Sequence, residues 1–163
     1  GGSYEGSWNN GVIEGSGIAK YANGLVYEGE FSRGKNNGSG SMTYSDGYVY
    51  KGNWKNGIQE GKGEEKFPNG TTYKGTFKNN QRHGKGTMKM EDGFSYTGDW
   101  VSGEMSGKGI ALYANGDKFE GYFLNGKREG KGVMTFKDGN IVDAIWKEGK
   151  EIQKDTSNSI TSD

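Results

Sequence analysis

The chain has no cysteine, one proline, one histidine and no net charge over its 163 residues. Without cysteine there is neither a disulfide framework nor a thiolate metal site. The lone histidine, His83, argues against a His-based zinc cluster and against a nucleophilic triad. Twenty-one basic against 21 acidic residues remove the bulk field that would draw the chain to nucleic acid or to a membrane surface. Leucine occurs only at Leu25, Leu112 and Leu124, and no apolar run is long enough for a membrane span or a signal peptide. Scarcity of aliphatic residues alone points to disorder. Aromatic residues are plentiful, however, and they are periodic.

An aromatic-x-Gly-x-aromatic unit begins at Tyr4, Tyr27, Tyr50, Tyr73, Tyr96 and Phe119, each 23 residues after the last. A Gly-x-Gly pair follows in every unit, first at Gly15 and Gly17. An Asn-Gly or Asp-Gly pair closes it, first at Asn23 and Gly24. Six copies without an insertion define a repeat architecture spanning 4–141. A degenerate seventh copy covers 142–150, and the polar run 151–163 reads as a mobile tail.

Each unit reads as two strands, since Asn-Gly and Asp-Gly between alternating residues are hairpin signals. A three-residue turn at Ala22-Asn23-Gly24 pairs Tyr21 with Leu25, Gly17 with Gly29 and Gly15 with Phe31. A six-residue loop at 9–14 pairs Trp8 with Gly15 and Gly6 with Gly17. In this register Trp8, Phe31, Trp54, Phe77 and Trp100 form one row, each beside a glycine. The next row is nearly all glycine, including Gly52 and Gly63. The third holds Tyr27, Tyr50, Tyr73 and Tyr96, with Glu65 between two tyrosines. The expected fold is therefore all-β: an elongated, single-layer, open-ended antiparallel array of hairpins, with an aromatic face carrying a bare glycine trough. Asn80 stands where other units have a loop glycine, so that position is expected at positive φ.

These motifs, Y-x-G-x-W/F, then G-x-G, then D/N-G, resemble the MORN repeat over residues 4–141. The resemblance implies an interaction and scaffolding module of the kind found in cytoskeletal, axonemal and membrane-junction proteins, and beside catalytic domains such as phosphatidylinositol phosphate kinases. It implies no catalytic residue, metal or cofactor.

The residues agree with a non-enzymatic reading. HGKGT at 83–87 fits neither a dinucleotide fingerprint nor a P-loop. The aromatic and glycine face is expected to form a groove for a peptide or helix. On the polar face, Lys51, Lys62, Lys66, Lys74, Lys85 and Lys89 surround Glu64, which suggests either a solvated surface or a patch for anionic lipid. Near the carboxyl end Ile110, Leu112, Tyr122, Val133, Ile141 and Ile145 share the nominally polar face, an expected dimer patch. The expected function is a non-catalytic protein-binding scaffold that self-associates, cytoplasmic and associated with cytoskeleton or membrane. The alternative is a phosphoinositide- or anionic-membrane-binding module, or the accessory region of a larger enzyme.

Overall fold

Alternation of side chains and closely spaced turns give strands throughout, in a computed structural model that describes residues 1–156. Among the described residues there are fourteen strands and no helix. They are β1 (Ser3–Asn9), β2 (Val12–Lys20), β3 (Val26–Ser32), β4 (Lys35–Thr43), β5 (Val49–Lys55), β6 (Ile58–Lys66) and β7 (Thr72–Lys78). β8 (Gln81–Lys89), β9 (Ser95–Val101), β10 (Glu104–Leu112), β11 (Lys118–Leu124), β12 (Lys127–Thr135), β13 (Ile141–Lys147) and β14 (Lys150–Lys154) complete the series. The strands are antiparallel and their order in the single-layer sheet is the chain order. The chain divides into two compact units, Gly1–His83 and Gly84–Asp163.

Two turn types alternate. At the first, Tyr21 N–H donates to Leu25 O at 2.8 Å and Gly24 N–H to Tyr21 O at 3.0 Å, as the sequence predicts. The second corrects the expected six-residue loop. It is a two-residue turn with both residues at positive φ, as at Asn56 (50°) and Gly57 (83°), the geometry that matches strand twist. Asn80 lies at φ 65°, which the sequence predicts from its place among loop glycines. The residues saved from the loop go into a bulge. Gly52 pairs with Gly63, but Trp54 then pairs with Gln59, and Gly61 sits in the bulge at φ 89°. Likewise Trp8 faces Ile13, not Gly15. The ring-beside-glycine row therefore holds on one side only, as for Gly38 with Trp54 and Gly61 with Phe77.

The glycine row is where the core forms, and it is not a bare trough. In the first unit Gly52 and Gly63 face one another so closely that a Cβ on Gly52 would lie 2.5 Å from Gly63 Cα. The Tyr50 ring lies over this pair. A Cβ on Gly63 would meet Tyr50 Oη at 2.6 Å and its Cε2 at 2.7 Å. Tyr50 is fully buried, and its hydroxyl donates to Asn53 O at 2.8 Å. Tyr27 and Tyr73 repeat that bond to Glu30 O and Thr76 O. Tyr50 also meets Trp54 and Phe77 edge to face at centroid distances of 5.0 and 4.9 Å. In the second unit Tyr96 and Phe119 are buried in the same way over Gly109 and Gly132. Each such ring pair contributes on the order of 0.5–1.5 kcal/mol beyond its area. Trp8 is the exception at 58 % exposure.

At the carboxyl end, β14 corrects the start of the expected tail. Glu148 and Gly149 adopt the same two-residue positive-φ turn, and Lys150–Lys154 then pairs with the outer edge of β13. The open backbone groups of that edge supply the reason. Residues 157–163 of the expected tail lie outside the described residues.

Because rings fill the trough, Gly63→Val should force Tyr50 out of its seat and destabilise the chain by about 1–3 kcal/mol. Thermal unfolding followed by circular dichroism checks this; an unchanged midpoint would contradict the packing.

Candidate functional site

With the trough filled, an open cleft of about 430 Å³ lies beside it on the aromatic face of the first unit. Its floor is Asn36, Gln59 and Met42, all buried. Its walls are Trp54, Tyr44 and Tyr48, with Gly57 and Asn80 at the rim. The two-residue turns place the amides. Gln59 N–H donates to Asn80 Oδ1 at 2.8 Å, and Gly57 N–H to Asn36 O at 2.8 Å. Trp54 Nε1–H donates to Gly40 O at 3.0 Å, so its ring is held against the sheet.

The far wall is a tilted aromatic ladder. Tyr44, Tyr48 and Phe67 stack with centroids 5.0 Å apart at each step. Sequence reasoning missed this ladder, although a signal was present. The residue opening each three-residue turn is Tyr21, Tyr44, Phe67, Met90, Tyr113 or Phe136, again at 23-residue spacing. In the second unit the corresponding Phe94 and Tyr113 meet at 5.7 Å.

A polar network lies behind the Tyr48 wall. Glu65 lies between Tyr50 and Tyr73 in the register, as expected. Its hydrogen bond comes from neither; Tyr48 Oη donates to Glu65 Oε2 at 2.7 Å. Arg82 Nη1 stands 3.8 Å from the same carboxylate, and its guanidinium lies 5.8 Å over the Tyr73 ring. Burial, reinforced by the Glu65 carboxylate, raises the Tyr48 phenol well above its ordinary value. Burial likewise pushes Tyr27, Tyr73 and Tyr96 up to about 12.

The other sequence-predicted groups are placed as follows. Tyr27, Phe31, Tyr50, Tyr73, Phe77, Tyr96 and Trp100 are buried as core, not exposed along a groove. In the first unit Lys51 and Lys74 both pair with Glu64 across the strands, and Lys74 Nζ is 3.4 Å from its carboxylate. Lys62 and Lys66 are exposed there. Lys85 and Lys89 belong to the second unit. Lys85 is ion-paired with Asp99, whose carboxyl is held below its usual range chiefly by that bond. Of the expected dimer patch, Leu112, Tyr122 and Ile141 are exposed, while Ile110, Val133 and Ile145 are half-buried. Their cross-strand partners are charged or polar: Ile110 and Val133 both face Glu120, and Ile145 faces Lys131 and Gln153.

Among the described residues no group of three or more metal-ligating side chains occurs, and no helix is long and apolar enough to cross a membrane. Tandem hairpins sealed by their own rings, with a cleft of aromatic and amide side chains alongside, define a class of open-sheet repeat proteins. The chain belongs to the MORN repeat family, whose model matches residues 4–26, 27–47, 50–72, 73–94, 96–118 and 119–141. No curated protein matches its sequence significantly. Among solved structures it is similar to the TCP domain of Drosophila melanogaster SAS-4 (dCPAP), in complex with a proline-rich motif of Ana2 (dSTIL). The identity is 14 % and the TM-score 0.51, over 80 % of this chain and 72 % of that one. The TCP10 domain of Danio rerio CPAP, in complex with a STIL peptide, aligns at 15 % identity over 88 % of this chain and 84 % of that one, with a TM-score of 0.22.

The raised phenols set an alkaline limit. Unfolded tyrosine ionises near about 10, whereas Tyr27, Tyr73 and Tyr96 hold their protons to about 12. Their contribution to stability is complete below the unfolded value and is lost as pH rises from there towards the folded one. Tyrosinate absorbance should therefore appear late and together with unfolding, not as a smooth titration of the native chain.

Proposed function

We propose that this chain is a non-catalytic binding and scaffolding module whose first unit takes an extended peptide. One observation carries the reading: the open cleft offers ring faces from Tyr44, Tyr48 and Trp54 beside side-chain amides from Asn36 and Gln59. Rings of this kind accept proline and apolar side chains, while amides meet the donors and acceptors of an extended backbone. The proline-rich motif bound to the SAS-4 domain, which shares the fold, supports a peptide of that type. A role beside cytoskeletal assemblies is in keeping with it.

A fluorescent, capped, proline-rich peptide titrated by anisotropy tests the reading. Tyr44 makes no side-chain hydrogen bond among those described, so Tyr44→Ala removes a wall with little harm to the network. It should weaken binding by about ten-fold or more, the loss of an aromatic anchor. Affinity should change little with salt. Binding that survives Tyr44→Ala and collapses with ionic strength would favour the lipid- or acid-binding alternative through Lys62 and Lys66.

A second reading, self-association through the second unit, is favoured by the exposure of Leu112 (46 %), Tyr122 (46 %) and Ile141 (67 %) on one sheet face. A symmetric dimer would cover the patch with itself. Sedimentation equilibrium should show a dimer, and Tyr122→Glu with Ile141→Lys should yield a folded monomer. A wild type that stays monomeric at high concentration overturns this.

A further inference from the structure

The repeat supplies an internal comparison between the two units. Positions two repeats apart differ by 46 residues, so Tyr48, Glu65 and Arg82 correspond to Phe94, Ala111 and Arg128. In the first unit the arginine is answered by Glu65, which Tyr48 in turn holds by a hydrogen bond. In the second unit both the carboxylate and the hydroxyl that orients it are absent from the sequence, and the arginine is kept. The register is the same: Ala111 pairs with Tyr96 and Phe119 just as Glu65 pairs with Tyr50 and Tyr73.

Arg128 is half-buried and fixed. Its guanidinium lies 4.8 Å over the Trp146 ring and 5.8 Å from the Tyr113 and Phe119 rings. Nε and Nη2 both donate to Gly149 O, at 3.2 and 2.5 Å, and Nη1 reaches Tyr113 Oη at 3.5 Å. Among the described residues no carboxylate forms an ion pair with it. Glu151, which takes the same repeat position one unit on, pairs with Lys154 at 2.9 Å. Three of the five guanidinium N–H groups are engaged. Two remain, the number that a carboxylate takes in a bidentate bond.

We propose that Arg128, seated on Trp146 and flanked by Tyr113 and Phe119, is a recognition point for an Asp or Glu carboxylate of a bound polypeptide. The incoming carboxylate supplies to Arg128 what Glu65 supplies to Arg82 from within the chain. A half-buried, ring-backed guanidinium is already ordered, so little side-chain entropy is lost when the carboxylate arrives. The source of the carboxylate rests on the polypeptide-binding reading; the anion site itself rests only on the second unit.

The test follows the Arg128 Nε–H resonance of the ¹⁵N-labelled full chain during titration with N-acetyl-glutamate amide, which carries a single carboxylate. A saturable shift is expected, roughly ten-fold weaker with the glutamine analogue because a charge-assisted pair is lost. Ala111→Glu should abolish the response by supplying the carboxylate from within, while the isosteric Ala111→Gln should leave it. If Ala111→Glu does not fold, Arg128→Lys gives the same discrimination, read at the indole Nε1–H resonance of Trp146, whose ring lies 4.8 Å beneath the wild-type guanidinium. Lysine cannot make the bidentate bond, so that shift should be lost. No saturable shift in the wild type, an equal response to the glutamine analogue, or tighter binding of methyl phosphate would each overturn the proposal. A response at Arg128 in a chain that ignores the proline-rich peptide would fault the peptide reading alone. Peptide binding at the first unit with a silent Arg128 would fault this inference alone.

Discussion

A tyrosine ring laid flat on a pair of facing glycines is the contact on which everything else depends. A single-layer sheet has no second layer to bury its rings, so the buried volume must come from within the sheet. At Gly52 and Gly63 the absence of both side chains brings the two backbones close and leaves a seat one ring wide. Tyr50 fills it, ties its hydroxyl to Asn53 O, and then serves as the surface against which Trp54 and Phe77 pack edge to face. Phe119 shows which part is indispensable. It has no hydroxyl to donate, yet it is fully buried over Gly132 and packs with Phe123 and Trp146. The ring and its glycine seat carry the packing; the hydroxyl bond refines it.

The turns are subordinate to that seat. Facing glycines require that strands pair in a fixed register at the middle of each hairpin, whatever happens at its end. A two-residue turn at positive φ is the shortest closure that agrees with strand twist. It leaves surplus residues, and the bulge at Gly61 absorbs them. The bulge shifts Trp54 from glycine to Gln59, which brings an amide to the floor of the cleft. The tight turn and the polar character of the site thus have one cause.

This explains which features were legible in the sequence. The 23-residue period, the three-residue turns, the Gly–Gly pairing and positive φ at Asn80 are all fixed by residue type at one position, and each could be read directly. The two-residue turn was not, because Asn10-Gly11 and a longer loop over 9–14 give the same glycine pairing, and only the bulge separates them. The trough looked bare because alternation tells which face a tyrosine occupies but not that its ring bends across the neighbouring strand. The ladder through Tyr44, Tyr48 and Phe67 is only partly periodic, since Tyr44 and Phe67 share a repeat position but Tyr48 stands where other repeats have Leu25, Thr71 or Asp117, and it lies outside the aromatic-x-Gly-x-aromatic unit. Glu65 was placed between the correct tyrosines, while its actual partners, Tyr48 and Arg82, lie 17 residues away on either side, beyond the reach of pair-by-pair register arguments.

Once the ring and glycine positions are committed to packing, variation is confined to positions that the seat leaves free. The row beside each buried tyrosine reads Ala19, Met42, Glu65, Met88, Ala111 and Met134, and the residue across from each second aromatic reads Ile13, Asn36, Gln59, Arg82, Met105 and Arg128. Both rows border the ring-and-glycine seats, and the first is itself buried, yet their residue types change from repeat to repeat while the backbone stays the same. Where the two rows complement one another, as Glu65 does Arg82, the charge is closed within the chain. Where they do not, as at Ala111 and Arg128, the rings and Gly149 O hold the guanidinium but no carboxylate among the described residues pairs with its charge. An uncharged amide fills the same repeat position in the first unit, where Asn36 and Gln59 are both buried. The arginine held on Trp146 ties the last two-residue turn through Gly149 O, and its charge is the one part of that contact that the hairpin itself does not answer.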